Sequence, residues 1–372
     1  MLTWADLGAR TLARQFPADV EPGDVVGLLR RVGPIQSQTA RSVFLGTAAR
    51  LPGTTREQLT EAYESYAIVR GSSIRGTVHT STAEQNPLLE VATRVGQRAL
   101  WSRSLKLADT TLEQVWEGIE AFAADDWRSV DELAEHLRAW LEAHDPQAES
   151  RAAGQPGRYF AFGHAGLIRR PRGDDWAGQT TPGYRTAARL TGDRSSVLAD
   201  PDAAIDALVR QHLAANGPSS RNDLAWWSGL GLTRIDASLA RLELPGAAGP
   251  DGRVYVDLPE APEPVRLAGV HLLPEFDALL CAFDPAGRRR FVDPEDYTVL
   301  WNQANGMLLA PVLLDNRLLG HWRMLGTGKS RRLEITLYPG AREVDEDELV
   351  SPAVAIELAL AISITDVRIW RS

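Results

Sequence analysis

Apolar positions along the chain change their period. Helical spacing dominates up to about residue 260, and strand-like alternation dominates beyond it. Near the N-terminus the pattern predicts helices near 24–50 and 56–66, leading into IVRGSSIRGTVHTST, Ile68 to Thr82. That stretch reads as a hairpin turning at Gly71 to Ser73. Its return strand sets Ile74, Gly76 and Val78 on one face and Arg75, Thr77 and His79 on the other.

A short motif repeats. SVDELA (Ser129 to Ala134) aligns without gaps to SRNDLA (Ser220 to Ala225), each with Ser followed three residues later by an acid. Such a pair satisfies the free amides of a helix start. The second copy continues through a turn at Gly229 to Gly231, another helical pattern and a strand at Val254 to Leu258. Helix, turn, helix and hairpin make a winged helix. RYFAFGHAGLIRRPRG reads as a strand-rich wing ending in Arg169, Arg170 and Arg172. From about 265, apolar runs of strand length with turns at Asp284 to Gly287 and Asp315-Asn316 predict a β-rich domain closed by one helix near 346–362. The expected fold is α+β, with winged-helix units at 1–110, 111–198 and 199–262 and a β-rich C-terminal domain at 263–372.

Composition keeps this picture globular, at 44% apolar and 24% charged residues. Apolar runs fall short of a membrane span, AVAIELALAISI being broken by Glu357, and MLTWADLGAR lacks the features of a signal peptide. One cysteine, Cys281, excludes an intrachain disulfide framework and a thiolate-rich zinc site. A cytoplasmic protein with no membrane partner is expected.

Net charge, −9, argues by itself against a nucleic-acid partner. Its distribution does not. Segment 111–150 holds eleven acids and two arginines, whereas 151–195 holds eight arginines and three acids. Of forty basic residues all but Lys106 and Lys329 are arginine, which reads phosphate and base edges well. A GC-biased genome produces the same skew, so charge leaves the partner open.

Several motifs carry no chemistry. GTGKS at 326–330 has Arg323 where a phosphate loop needs its first glycine, and it reads as a turn before a strand. The histidines show no ligand spacing, with His136 and His144 reading as surface residues, so no metal or cofactor is expected. Glu275 and Asp277, in LPEFDALL, face one way at strand spacing. They are either a glycosidase-like acid/base pair or the lining of a strand end. GPIQSQTARSVF, Gly33 to Phe44, places Gln36 and Gln38 after a Gly-Pro break. They form a polar helix start, or they hold one water. The second reading requires irregular or extended backbone, because i and i+2 lie about 200° apart on a helix.

PIQSQTARS, VRGSSIRGTVHTSTAEQ, SRNDLAWWSGL, LLPEFDALL and DNRLLGHWR together resemble the AlkZ-like winged-helix DNA glycosylases over most of the chain. The resemblance implies three tandem winged helices in a C-shaped body and removal of N-alkylated purines from DNA, with crosslink unhooking by some members. The family motif of Gln, any residue, then Gln or Asp falls on Gln36-Ser37-Gln38, making Gln36 and Gln38 the implied catalytic residues. Ser37 departs from the aliphatic residue common there. Gln rather than Asp at 38 resembles the crosslink-repair branch found beside antibiotic pathways. Alkylation at guanine N7 leaves the base cationic and ready to depart, so orienting a water and stabilising the sugar suffice.

The expected activity is therefore monofunctional hydrolysis of an N7-alkylguanine, with no lysine near the motif to form a Schiff base. The expected partner is double-stranded DNA bearing bulky adducts or interstrand crosslinks, bound by a monomer in base excision repair and antibiotic self-resistance. Arg75, Thr77 and His79 are candidates for the same cleft, and Arg169, Arg170, Arg172 and Arg323 for DNA contacts; Trp322 beside Arg323 reads as core. Two other classes remain open, a non-catalytic winged-helix regulator and a drug-sequestering resistance protein using the tryptophans.

Overall fold

Short-range chemistry sets many of the helix starts. In the computed structural model, which describes residues 1–302 and 306–372, Thr3, Thr55, Thr111, Ser129 and Ser220 each cap a helix. Each hydroxyl takes the N3 amide while the N3 side chain returns to the cap. Ser129 and Ser220 open the two aligned segments, as their sequences predict.

The helix expected over 24–50 is broken. Val25–Val32 ends at Gly33-Pro34, since Pro34 has no N–H to continue the ladder, and helix resumes at Ser42–Arg50. Between them lies β1 (Ile35–Gln36). With β2 (Ile68–Ser72), β3 (Val78–Thr82), β4 (Leu167–Pro171) and β5 (Pro182–Thr186) it forms one antiparallel sheet of order β1-β3-β2-β4-β5. Two hairpins are thereby fused through β2 and β4. A Cβ on Gly71 would stand 2.8 Å from the Leu167 carbonyl oxygen, so the absence of a side chain at 71 permits this pairing.

The β2–β3 turn lies at Ser73 to Thr77, later than expected, because β2 runs on through Ser72 and Arg75 takes the left-handed conformation (φ 59°). RYFAF is helix, not strand. Gln155–Phe162 starts with Pro156 in its first turn and buries Phe160 and Ala161. His136 is half-buried and stacks on Phe122 rather than standing free at the surface.

The helix-turn-helix plan at the second motif copy is present. Arg221–Ser228 passes through left-handed Gly229 to Leu232–Leu242. Three short strands, β6 (Ser219–Ser220), β7 (Gly246–Ala248) and β8 (Val254–Val256), flank it in the order β6-β8-β7. Beyond β9 (Val270–Leu272), a small ribbon of β10 (Trp301–Asn302) and β11 (Met307–Leu308) precedes β12 (Ala310–Leu314), β13 (Arg317–Leu325) and β14 (Ser330–Leu337). GTGKS forms the β13–β14 turn and the first residue of β14, as read.

The predicted terminal helix spans Asp347–Leu360, but it does not close the chain. It is the crossover to β15 (Ser363–Arg371), which pairs parallel to β14 in a sheet of order β15-β14-β13-β12-β9. Phe44 and Tyr63 from the N-terminal helices share one core with Val312, Trp322, Ile335 and Ile356 from the C-terminal part. The fold is α+β. Among the described residues, no helix is long and apolar enough to cross a membrane, and no group of three or more His, Cys, Asp or Glu side chains is placed to hold a metal.

Candidate active site

The ladder runs into the two-glutamine motif. Gln36 pairs with His79, and the Ser37 N–H donates to the Val78 carbonyl at 2.8 Å. Gln36 and Ser37, on extended backbone, project to opposite faces, and Gln38 follows in a bend just beyond the strand. The glutamines do not open a helix; the next one begins at Ser42.

Both amides are anchored. Gln36, only 8% exposed, accepts at Oε1 from Arg75 Nη2 (3.0 Å), and Gln38, exposed, accepts at Oε1 from the Val78 N–H (3.1 Å). An amide oxygen has two acceptor positions, so each keeps one for a water. Ser37 is fully buried: Thr80 Oγ1 donates to its Oγ at 3.1 Å, and Thr80 is 2.9 Å from the Tyr63 hydroxyl. That polar chain accounts for a serine where an aliphatic residue is common. Its carbonyl oxygen accepts from Arg70 Nη2 at 2.7 Å.

A cleft of about 580 Å³ opens beside the motif, with Thr39, Arg41, Gln179, Glu275, Met324 and Lys329 on its walls. Gln179 Nε2 donates to the Gln38 carbonyl at 3.3 Å. Glu275 is neutralised there by Arg41, while Asp277 points into a buried bidentate pair with Arg50 (2.9 Å for each bond). Left-handed Phe276 (φ 61°) breaks the strand alternation that would have set the two acids side by side, so they form no catalytic pair.

The sequence model of the family described as AlkZ-like, DNA glycosylase AlkZ-like, matches residues 29–359. The chain belongs to this family. AlkZ-like proteins are DNA glycosylases, and DNA repair enzymes by that activity. Among solved structures, the DNA glycosylase AlkZ of Streptomyces sahachiroi is similar in fold, with a TM-score of 0.80 at 19% identity over 99% of this chain and 100% of that one. No curated protein matches the chain.

In this AlkZ-like chain the other expected site residues are scattered. Arg75 folds inward from the turn, donating to the Trp227 carbonyl as well as to Gln36. Thr77 closes the turn on the Ile74 carbonyl, and His79 is buried with Nδ1 2.8 Å from Ser73 Oγ. These three therefore share no solvated face, because the left-handed residue at 75 shifts the alternation expected of a strand. Arg169 lies over the Tyr184 ring, Arg170 pairs with Glu64, Arg172 stands 3.8 Å from Glu132, and Arg323 pairs with Glu334. Trp322 is core, donating to the Leu273 carbonyl.

Arg70 and Gln179 escaped the sequence reading. Arg70 had one signal, a charge within the apolar strand IVRGS. Lys329 lies on the cleft wall, brought there by the β13–β14 turn, and neither Gln36 nor Gln38 is among the residues lining that cleft. The lysine is exposed.

Burial, reinforced by the Arg75 charge, pushes the His79 imidazole down to about 3, and burial with the Arg290 charge does the same for His212. Both stay neutral in the fold but take protons near pH 6.5 when unfolded. Their contribution is complete above pH 6.5 and is lost as pH falls toward 3, by up to about 1.4 kcal/mol per unit each. The melting temperature is expected to drop between pH 7 and pH 5, and by less in His79→Gln. An equal drop in that variant would remove His79 from the account.

Proposed function

We propose that the chain hydrolyses the N-glycosidic bond of N7-alkylguanine in double-stranded DNA, acting as a monomer without strand cleavage. Bulky natural-product adducts or interstrand crosslinks are the proposed lesions, in base excision repair and antibiotic self-resistance. Three winged-helix units (1–110, 111–198, 199–262) and the β-rich part from 263 are the proposed domains of a C-shaped body. Gln36 and Gln38 are the proposed water-positioning residues.

One observation carries this reading. Two amide carbonyls one residue apart are each anchored by a hydrogen bond, and the histidine paired with the motif is buried and neutral. Such a site is poor at protonating a leaving group. A cationic alkylpurine does not need that step, whereas a water held by fixed dipoles next to a developing oxocarbenium does help. The cleft of about 580 Å³ begins at Thr39, the residue after the motif.

The test offers the protein duplexes carrying N7-methylguanine, a bulky natural-product adduct, a crosslink or no lesion. Free base from the damaged duplexes, with intact strands and no borohydride-trapped Lys329 adduct, is the expected result. No release, together with tight sequence-selective DNA binding, would establish the regulator instead. Tight binding of the free alkylating agent alone would establish sequestration.

A further inference from the structure

The sheet β1–β5 carries two guanidinium groups that no described residue neutralises. Gly71 of β2 pairs with Ile168 of β4, and one step along this antiparallel register Arg70 stands opposite Arg169. The row across the sheet reads Thr80, Arg70, Arg169, Tyr184. Among the described residues neither arginine has a carboxylate partner. Arg70, 6% exposed, uses Nη2 on the Ser37 carbonyl and leaves Nε without a partner. Arg169 leaves its own buried Nε unbonded, with its guanidinium 5.7 Å from the Tyr184 ring centroid.

Like charges directly opposite on neighbouring strands repel, and a buried cation without a counter-charge is costly. The burial of Arg70 and the Arg169 charge together push its guanidinium down to about 10. Of the other buried arginines, Arg14, Arg50, Arg194 and Arg290 have carboxylate partners, whereas Arg288 donates to the Leu280 carbonyl and the Tyr297 hydroxyl. Arg70 has neither a carboxylate nor a partner for its Nε, and it lies beside the candidate active site.

We propose that Arg70 and Arg169 clamp one DNA backbone phosphate beside the Ser37 carbonyl of the Gln36-Ser37-Gln38 motif, on the face of the sheet opposite the Gln36 side chain. The proposal rests on the reading of that motif as the site facing the damaged nucleotide. A phosphodiester supplies the missing counter-charge and accepts charge-assisted hydrogen bonds from both side chains. Because Arg70 holds the Ser37 carbonyl, the phosphate and the two glutamines share one anchor.

The experiment replaces single phosphates around the lesion by neutral methylphosphonates. The lesion is an N7-methylguanine whose 2′-fluorine slows base release, so affinity is read without turnover. One neutral linkage beside the lesion is expected to cost the wild type about tenfold in affinity. Arg169→Gln, half-buried and tolerant of change, is expected to bind the all-phosphate duplex about tenfold more weakly and to ignore that linkage. Arg70→Lys, which keeps the charge but not the fork, is expected to fall between them. Equal sensitivity of Arg169→Gln and wild type at every linkage overturns the clamp, as does a wild type indifferent to all of them. Base release from the unfluorinated duplex is scored separately. If it is absent while the linkage effect persists, the catalytic reading fails and the clamp stands.

Discussion

Gln38→Ala is expected to slow single-turnover base release by about 10²–10³-fold while DNA affinity and melting temperature stay close to wild type. The side chain is exposed and its oxygen accepts only the Val78 N–H, which water can satisfy after truncation. On the proposed role, what is lost is a dipole that stabilises the sugar as the glycosidic bond stretches. Such a dipole acts in the transition state and little in the ground state, so the effect falls on rate and not on binding. Gln36→Ala should lose both, since Arg75 Nη2 donates to Gln36 while Nη1 ties the hairpin turn to the Trp227 carbonyl. Gln38→Glu keeps an acceptor oxygen at the same reach and should retain more activity than alanine. A full-rate Gln38→Ala enzyme would sink the catalytic role of the pair.

Legibility in the sequence followed the range of the interaction. The caps at Ser129 and Ser220 depend on a residue three positions away, and both were readable. The helix Gln155–Phe162 was not, because its aromatic run favours strand and the cue against it was one proline at its start. The hairpin turn was misplaced because a left-handed conformation falls on Arg75 and not on an earlier glycine. For Gln36 and Gln38 the residues alone favour a polar helix start over a water site. The extended backbone that separates them comes from pairing with β3, more than forty positions onward. Arg70 and Lys329 reach the site through sheet pairing and a distant turn, which no local pattern encodes.

Asp277→Ala is expected to destabilise the fold by about 3–5 kcal/mol, the usual result of stripping one partner from a buried ion pair. In a chain of this size that is a fall of several degrees in melting temperature. Arg50 and Asp277 are almost fully buried, and Arg50 also donates to Gln15 Oε1 from Nε (3.2 Å) and Nη2 (3.0 Å). Gln15 in turn donates to the Ala215 carbonyl at 2.9 Å and the Val32 carbonyl at 3.2 Å. The aspartate therefore closes a node joining the first helix, Ser42–Arg50 and the chain near 215. It also accepts from the Leu279 N–H as the cap of Ala278–Cys281. Base release per folded molecule should stay near wild type, because Asp277 faces Arg50 and not the cleft. A glycosidase-type acid would behave in the opposite way, losing activity with little change in stability. The double variant Arg50→Met, Asp277→Leu separates the pair from its burial cost. If a lone buried charge is what destabilises the single variant, the double variant should be more stable than Asp277→Ala. If the Gln15 network matters more, it should be less stable, since Arg50→Met removes both donors to Gln15 as well.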